Sequence, residues 1–198
     1  MSRTLTRLAI INAAAKLFAL QGFEKTTVDE VALEAGIAKG TIFYNFKTKD
    51  EIFLSVLQQG IDNLTGLARE QAERGTTPTE KMEAVYDVTV EFLQKHVSFG
   101  DLLVSELGRI RSRWNLDPLN LLEPYLQILA HIVLEGQEKQ EFRRDVSARE
   151  IAVIIFLGIA GSGVGRLMAT GHADLNLFAT TKKILRTGIK VDTVLVAA

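Results

Sequence analysis

Two short predicted helices, separated by a glycine turn, occupy residues 26–49, TTVDEVALEAGIAKGTIFYNFKTK. The second helix has only about two turns and is polar on one side, and a helix this short is not stable alone in water. Neighbouring helices must therefore hold it in place. The stretch constrains the chain to a fold in which longer helices, each with an apolar stripe, support a small polar one.

The rest of the sequence indicates an all-α fold. The chain has only three prolines in 198 residues and no useful run of the period-two alternation that marks a β-strand. Capping boxes, in which Ser or Thr precedes Glu by three residues, predict helix starts at Thr27, Thr48 and Ser147. Two domains are expected, 1–50 and 51–198, connected by the fourth helix. The apolar periodicity predicts about nine helices, at roughly 5–21, 28–34, 38–45, 48–74, 78–96, 99–114, 118–140, 147–171 and 173–191.

Composition and spacing exclude several classes of site. The chain has no cysteine, which excludes disulfides and thiolate metal sites, and none of its three histidines pairs with another at a spacing of three or four. No local catalytic motif is evident, and the glycines of 161–165 lack the preceding strand that a dinucleotide loop needs. We expect no cofactor and no metal. The most apolar run, 151–165, is shorter than the roughly 20 residues of a membrane span. With no signal peptide evident, we expect a cytoplasmic protein without a membrane partner.

The first four predicted helices resemble a known family. A dense set of residues over about 8–60 is similar to the N-terminal DNA-binding domain of the TetR (tetracycline repressor-like) transcriptional regulators, and the remaining chain has the length and helix order of that family's regulatory domain. The resemblance implies a helix-turn-helix domain, a helical-bundle domain for ligand binding and dimerisation, and double-stranded operator DNA as a partner. The residues that carry it are Phe18, Gly22, Thr26, Thr27, Ala32, Ala35, Gly36, Lys39, Gly40, Thr41, Phe46 and Lys49.

The chemistry of the short helix agrees with this resemblance. In a helix-turn-helix the N-terminal residues of the second helix face base edges, where a lysine can donate to guanine O6 and N7. Tyr44 and Asn45 lie one turn further on, and Phe43 keeps the ring but not the hydroxyl of the Tyr that the family often has there. Asp29 is expected to make no DNA contact. The alternative is a solvated helix face. The predicted DNA-binding residues are Thr27, Lys39, Gly40, Thr41, Phe43, Tyr44, Asn45, Lys47 and Lys49, with Thr27, Lys47 and Lys49 acting on phosphates.

Glycines inside the eighth predicted helix indicate close helix packing. Each should cost about 1 kcal/mol relative to Ala, so a contact must offset the cost. The resemblance implies that the eighth and ninth helices form a homodimer interface, a four-helix bundle between two subunits. Packing within one subunit is the alternative. The predicted interface residues are Gly158, Gly161, Gly165, Met168, Leu177 and Thr181.

Polar and aromatic side chains interrupt the apolar fifth to eighth helices. Bundle cores of this kind can hold a small molecule, although an ordinary core is equally compatible with each residue. The predicted pocket residues are Tyr86, Phe92, Phe99, Glu106, Trp114, Tyr125 and His131. We therefore expect a repressor that a small-molecule effector releases from a palindromic operator. The alternative is a helical ligand-binding protein or enzyme in which the N-terminal domain is only structural.

Overall fold

The computed structural model describes residues 2–97, 99–100, 102–103, 117–168 and 176–190. This part of the chain is all helical. The sixth predicted helix, 99–114, lies mostly outside the described residues, so the last three helices here are the seventh to ninth predicted ones. The helices are α1 (Arg3–Gln21), α2 (Val28–Glu34), α3 (Lys39–Asn45), α4 (Lys49–Arg74), α5 (Pro78–Lys95), α6 (Pro118–Glu138), α7 (Ala148–Met168) and α8 (Leu177–Ile189).

Side-chain caps set the helix starts. The capping box at Thr27 and Glu30 is complete in both directions, and Ser147 with Glu150 also forms both bonds. At Thr48 only half of the predicted box forms, because the hydroxyl accepts from the backbone N–H of Glu51 while the Glu51 carboxylate accepts from that of Lys47. These caps satisfy backbone donors that the first turn of a helix leaves free.

Three phenylalanines hold α1 and the start of α4 together. The ring centroids of Phe18, Phe23 and Phe53 lie 4.8 to 5.5 Å apart, in tilted and edge-to-face arrangements. Gly22 ends α1 with a φ of +83°, which glycine adopts without steric cost, and its N–H donates to the carbonyl of Phe18. The chain can therefore turn sharply from α1 towards α2.

Helix α4 connects the two halves of the molecule. Its first turns pack on α1, and its later turns pack on α5 and α6. The side chains of Ile52, Leu57 and Ile61 are fully buried, and burying each contributes about 2 kcal/mol. One continuous helix thus connects the C-terminal half of the molecule with α1 to α3.

Helices α6, α7 and α8 complete the bundle, with α7 packed between the other two. Phe142, fully buried after α6, lies over Gly136, where a Cβ would come within 2.1 Å of its ring. An isolated antiparallel bridge joins Phe142 to Lys190. Among the described helices, none combines the length and hydropathy needed to cross a membrane.

Candidate nucleic-acid interface

The turn between α2 and α3 places α3 on the surface. Gly36 has a φ of +65°, a left-handed conformation that favours glycine, and the N–H of Ile37 donates to the carbonyl of Ala32 at 3.0 Å. Ile42 is fully buried beneath α3. A single apolar side chain and a tight turn thus fix a helix of seven residues against α1 and α2.

One face of α3 is open to solvent. Lys39, Gly40, Phe43 and Tyr44 are exposed and Thr41 is half-buried. A Cβ built on Gly40 would meet no atom within 4 Å, so nothing in the described chain covers the backbone there. The residues of α3 that were predicted to contact DNA therefore share one accessible surface, with the exception of Asn45.

Asn45 is an exception to the prediction. Its side chain is buried, and its Nδ2 donates to the carbonyl of Thr41 at 2.8 Å. The last turn of α3 rotates this position towards the interior, because Ile42 must also face inward. The expectation that Asn45 points towards bases is not met in this structure, and the residue instead stabilises the end of α3.

Lys49 also has a different environment from the one expected. Its Nζ donates to the carbonyls of Phe23, Glu24 and Thr26 at 2.8, 3.2 and 2.9 Å, and it lies 4.4 Å from the centroid of the Phe23 ring. An ammonium has three donors, and all three are used. Lys49 thus ties the start of α4 to the α1–α2 loop, which leaves no N–H for a phosphate in this conformation.

The remaining two predicted phosphate contacts stay on the surface. Thr27 is exposed, and its hydroxyl donates to the Glu30 carboxylate. The backbone N–H of Thr27 also donates to this carboxylate, and that hydrogen bond is the main reason why the pKa of Glu30 is lowered. Lys47 is exposed, and its backbone N–H donates to Glu51.

Two arginines that the sequence interpretation missed lie against α3. The guanidinium of Arg7 lies 4.0 Å from the centroid of the Phe46 ring and donates to the carbonyl of Asn45 at 2.6 Å. Arg3, four residues earlier and exposed, lies 5.6 Å from the centroid of the Tyr44 ring. The two arginines are four residues apart, which puts both on one face of α1. This spacing could have indicated from the sequence that they act together. Arg7 caps the carboxyl end of α3, and Arg3 extends its open face.

The predicted pocket residues do not converge on one cavity. Phe92 and Phe99 line an open cavity of about 470 Å³ between α1, α4 and α5. Tyr86 lies in a small separate pocket beside α8 and donates to the carbonyl of Phe178, and burial raises its pKa to about 12. Tyr125 is fully buried, which raises its pKa, and its hydroxyl shares a hydrogen bond with Thr89.

His131 is not a core residue and lies away from the cavity at Phe92 and Phe99. It is exposed, on the rim of an open groove between α4 and α6. Glu106 and Trp114 lie outside the described residues. Of the seven predicted positions, only Phe92 and Phe99 therefore share a cavity among the residues that the structure describes.

The cavity at Phe92 and Phe99 touches both halves of the molecule. Its buried Gln59 Oε1 has no hydrogen-bond partner in the described chain. Lys16 is paired with Glu34 across α1 and α2, and Lys95 is paired with Glu91 on α5, both at 2.6 Å. The cavity thus combines aromatic walls with amide and cationic groups. Its lining includes Ile11, Asn12, Lys16, Gln59, Gly60, Asn63, Phe92, Lys95, His96, Phe99 and Leu102.

Two glycines of α7, Gly158 and Gly161, have different surroundings. A Cβ on Gly158 would lie 3.1 Å from Thr181 Cγ2 of the same chain, and Ser162 Oγ shares a 2.8 Å hydrogen bond with Thr181 Oγ1. Gly158 and Thr181 therefore contribute to the contact between α7 and α8 within one subunit, which was the alternative to a dimer interface, and their place in that interface stays a prediction. Gly161 meets no atom within 4 Å.

An apolar strip runs along the outside of α7 and α8. Ile154, Leu157 and Ile184 are 56%, 54% and 65% exposed, which is unusual for three large aliphatic side chains on neighbouring helices. Leu177 is half-buried at the start of α8. Gly165 and Met168 lie in the last turns of α7, where the structure describes the helix but not its side chains. The apolar periodicity of α7 runs all round the helix, so the sequence could not distinguish the outer residues from the core.

Comparisons with known proteins cover both halves of the chain. The family model for bacterial regulatory proteins of the tetR family matches residues 10–56. The model for the tetracyclin repressor-like C-terminal domain matches residues 78–191. The first match contains α2 and α3, and the second contains α5 to α8.

Related proteins and structures extend these matches. The fatty acid metabolism regulator protein of Bacillus subtilis (strain 168) is 30% identical over 154 residues, which cover 74% of this chain and 76% of the relative. The structure of the fatty acid degradation regulator FadR from Bacillus halodurans superimposes with a TM-score of 0.82 at 25% identity, over 92% of this chain and 95% of the other. The Bacillus subtilis FadR in complex with stearoyl-CoA gives 0.78 at 25% identity, over 92% and 98%.

Proposed function

This chain belongs to the TetR family of bacterial regulatory proteins and is a DNA-binding transcriptional regulator, and on that premise we propose that it is a repressor whose effector is a long-chain acyl-CoA. Because the relatives are regulators, we propose that the chain is not an enzyme. We also propose that it acts in the cytoplasm. Residues 1–50 form the proposed DNA-binding domain and 51–198 the proposed ligand-binding and dimerisation domain, joined by α4.

The proposed DNA contacts lie on the open face of α3 and beside it. Lys39, Gly40 and Thr41 face base edges at the start of the helix, and Phe43 and Tyr44 contact the groove wall. Arg3, Thr27 and Lys47 act on phosphates, which fix the register of the protein on the duplex. Asn45 and Lys49 leave this set, because the Asn45 side chain is buried and the Lys49 ammonium donates to carbonyls inside the protein.

The cavity at Phe92 and Phe99 is the single observation that carries the choice of effector. Its volume of about 470 Å³ is within the usual range of ligand pockets. An acyl-CoA carries an apolar chain and a polyanionic nucleotide. Phe92 and Phe99 suit the chain, and Lys95 and His96 suit the phosphates. One of the solved relatives is a complex with stearoyl-CoA.

The position of this cavity supports release of DNA on binding. Asn12 and Lys16 come from α1, whereas Gln59 and Asn63 come from α4. A ligand that contacts both helices binds one arrangement of them better than another, and it shifts the population by that difference in affinity. A small rotation of α1 moves α3, and thus the distance between the two reading helices of a dimer.

Two copies of the chain are proposed to pair through α7 and α8. The apolar strip of Ile154, Leu157 and Ile184 is open, and Gly161 leaves room for close approach of a second helix. A two-fold axis at this strip would present two α3 helices to a palindromic site. The dimer therefore sets the spacing between half-sites.

A selection from random duplex DNA, followed by an effector titration, tests this function. Enrichment of a palindrome is expected, and stearoyl-CoA should then release the protein from it, measured by fluorescence anisotropy. Free CoA and stearate serve as controls for the two ends of the effector. If no duplex is enriched, the DNA-binding function is wrong. If a palindrome is enriched but stearoyl-CoA leaves it bound, only the proposed effector is wrong.

A further inference from the structure

An exposed cation and an exposed carboxylate lie side by side where α2 and α3 meet. The Nζ of Lys39, the first residue of α3, is 2.8 Å from the Oδ2 of Asp29, the second residue of α2. The two side chains are 53% and 65% exposed. A donor group and an acceptor group thus stand a hydrogen bond apart at the start of the reading helix.

This pair contributes little to the fold. Exposed ion pairs stabilise a protein by about 0–1 kcal/mol, and α2 already has a complete capping box at Thr27 and Glu30. The turn is closed by the Ile37 N–H on the Ala32 carbonyl. The carboxylate of Asp29 is therefore available for another partner on the same surface.

The geometry points to Asp29 as a specificity-determining residue, which accepts a hydrogen bond from cytosine N4 in the same G·C pair whose guanine Lys39 reads. This inference rests on the DNA-binding function stated above. It replaces the expectation that Asp29 makes no DNA contact, because that expectation considered Asp29 without its partner.

The major-groove edge of a G·C pair matches such a donor and acceptor. Guanine offers two acceptors, N7 and O6, and cytosine offers the N4 amino donor. O6 and N4 are joined by a hydrogen bond of the base pair, so they are separated by about the same distance as Nζ and Oδ2. An ammonium has three donors, and Lys39 can keep one on Asp29 while it donates to guanine.

A pair with adenine in the place of the guanine does not fit the same arrangement. An A·T pair presents an acceptor, a donor and an acceptor in that order, followed by the thymine methyl group. The adenine N6 donor would then lie beneath the Lys39 ammonium, and thymine O4 would lie beneath the Asp29 carboxylate. Both contacts become repulsive. The pair therefore discriminates against A·T through repulsion as well as attraction. In the reversed T·A pair, thymine O4 and adenine N6 take the places of guanine O6 and cytosine N4, so only the Lys39 contact with guanine N7 distinguishes it.

The carboxylate also weakens contacts that carry no sequence information. A phosphate close to Lys39 is close to Asp29 as well, and like charges repel. Arg3, at the other end of the open face, has a ring contact with Tyr44, and no ion pair joins it to an acid within the described residues. The attraction for phosphate is thus greatest away from the base-reading pair.

A double-mutant cycle on a single-base substitution series of the selected palindrome tests the inference. The full-length variants are Asp29→Ala, Lys39→Ala and the double variant, with thermal unfolding as a check on folding. Asp62→Ala is the matched charge control, since Asp62 is an exposed residue of α4 that bonds to Gln58. Asp29→Ala should lower discrimination against A·T and C·G at one G·C position by roughly ten-fold, and it should leave discrimination against T·A there, and all other positions, unchanged.

The Lys39→Ala and double variants give further expected results. Lys39→Ala should affect the same position, and the double variant should lose no more than the larger single loss. If Asp29→Ala strengthens binding to every sequence equally, the carboxylate acts only as a negative charge and the inference is wrong. An unchanged substitution series also overturns it. Failure of the wild-type protein to select any duplex would instead contradict the DNA-binding function itself.

Discussion

The ring of Phe99 lies directly on the backbone of Gly60 in α4, where a Cβ would come within 2.1 Å of the ring. Phe99 also lines the proposed effector cavity and packs edge-to-face on Phe92 at 5.7 Å. The helix that connects the two halves of the molecule is thus in contact with a cavity wall, at a position where only glycine fits.

Gly60→Ala should displace Phe99 and lower the free energy of unfolding. Overpacking costs about 1–3 kcal/mol, and the better helix propensity of Ala returns at most about 1 kcal/mol. Gly66→Ala is the matched control, because a Cβ there meets no atom within 4 Å on the same helix, and it should stabilise the protein. Urea denaturation measures both. Equal stabilisation by the two substitutions would show that Phe99 does not require Gly60.

Lys49→Ala should weaken the contact between the start of α4 and the α1–α2 loop. The substitution removes three hydrogen bonds to carbonyls and leaves those acceptors to find water, at a cost of about 1–3 kcal/mol. Denaturation measures the loss. The slope of log K against log salt for operator binding should not change, because Lys49 contacts no phosphate and therefore displaces no counterion from the DNA. A slope reduced by about one with unchanged stability would restore Lys49 as a phosphate contact.

Arg3→Gln should weaken binding to all duplexes alike. A phosphate contact carries no sequence information, and its loss lowers the slope of log K against log salt by about one. Arg74→Gln, at the far end of α4 and paired with Glu70, is the control. Anisotropy titrations at several salt concentrations give both slopes. A loss confined to the selected palindrome would indicate a base contact instead.

Leu157→Glu should convert dimers to monomers. A carboxylate placed in an apolar interface has no partner and carries a large desolvation cost. Leu20→Glu, at an exposed position of α1, controls for the added charge and should remain dimeric. Sedimentation velocity distinguishes the two species, and operator affinity should fall with dimerisation. If the variant stays dimeric, Leu157 of α7 is not part of the dimer interface.

Glu135→Gln should change the pH dependence of stability. Hydrogen bonds from Lys139 and then Lys81 lower the pKa of Glu135 from 4.5 to about 2. Because the folded-state pKa is the lower one, the stabilisation is complete above about pH 4.5 and is lost as the pH falls towards 2. The stability difference between wild type and variant should therefore be largest at neutral pH and shrink across that window in denaturation curves. A pH-independent difference would show that the ion pairs do not depend on the charge of Glu135.

The sequence by itself determined where the helices begin and that α3 follows a glycine turn. Capping boxes at Thr27 and Ser147 mark real helix starts, and the glycine turn at Gly36 places α3 where it was expected. These signals are local, since a cap or a positive φ involves residues a few positions apart. The family resemblance, which rests on the same stretch, is confirmed by the family models that match both halves.

Only the tertiary structure decided which polar groups are free. Lys49 and Asn45 are polar residues in a DNA-binding motif, yet their hydrogen bonds lie inside the protein. Gly158 faces the neighbouring helix of its own chain, whereas Gly161 is open. Asp29 and Lys39 are ten residues apart and form one pair. In each case the partner comes from another helix or turn, and no spacing along the chain records how two such elements pack.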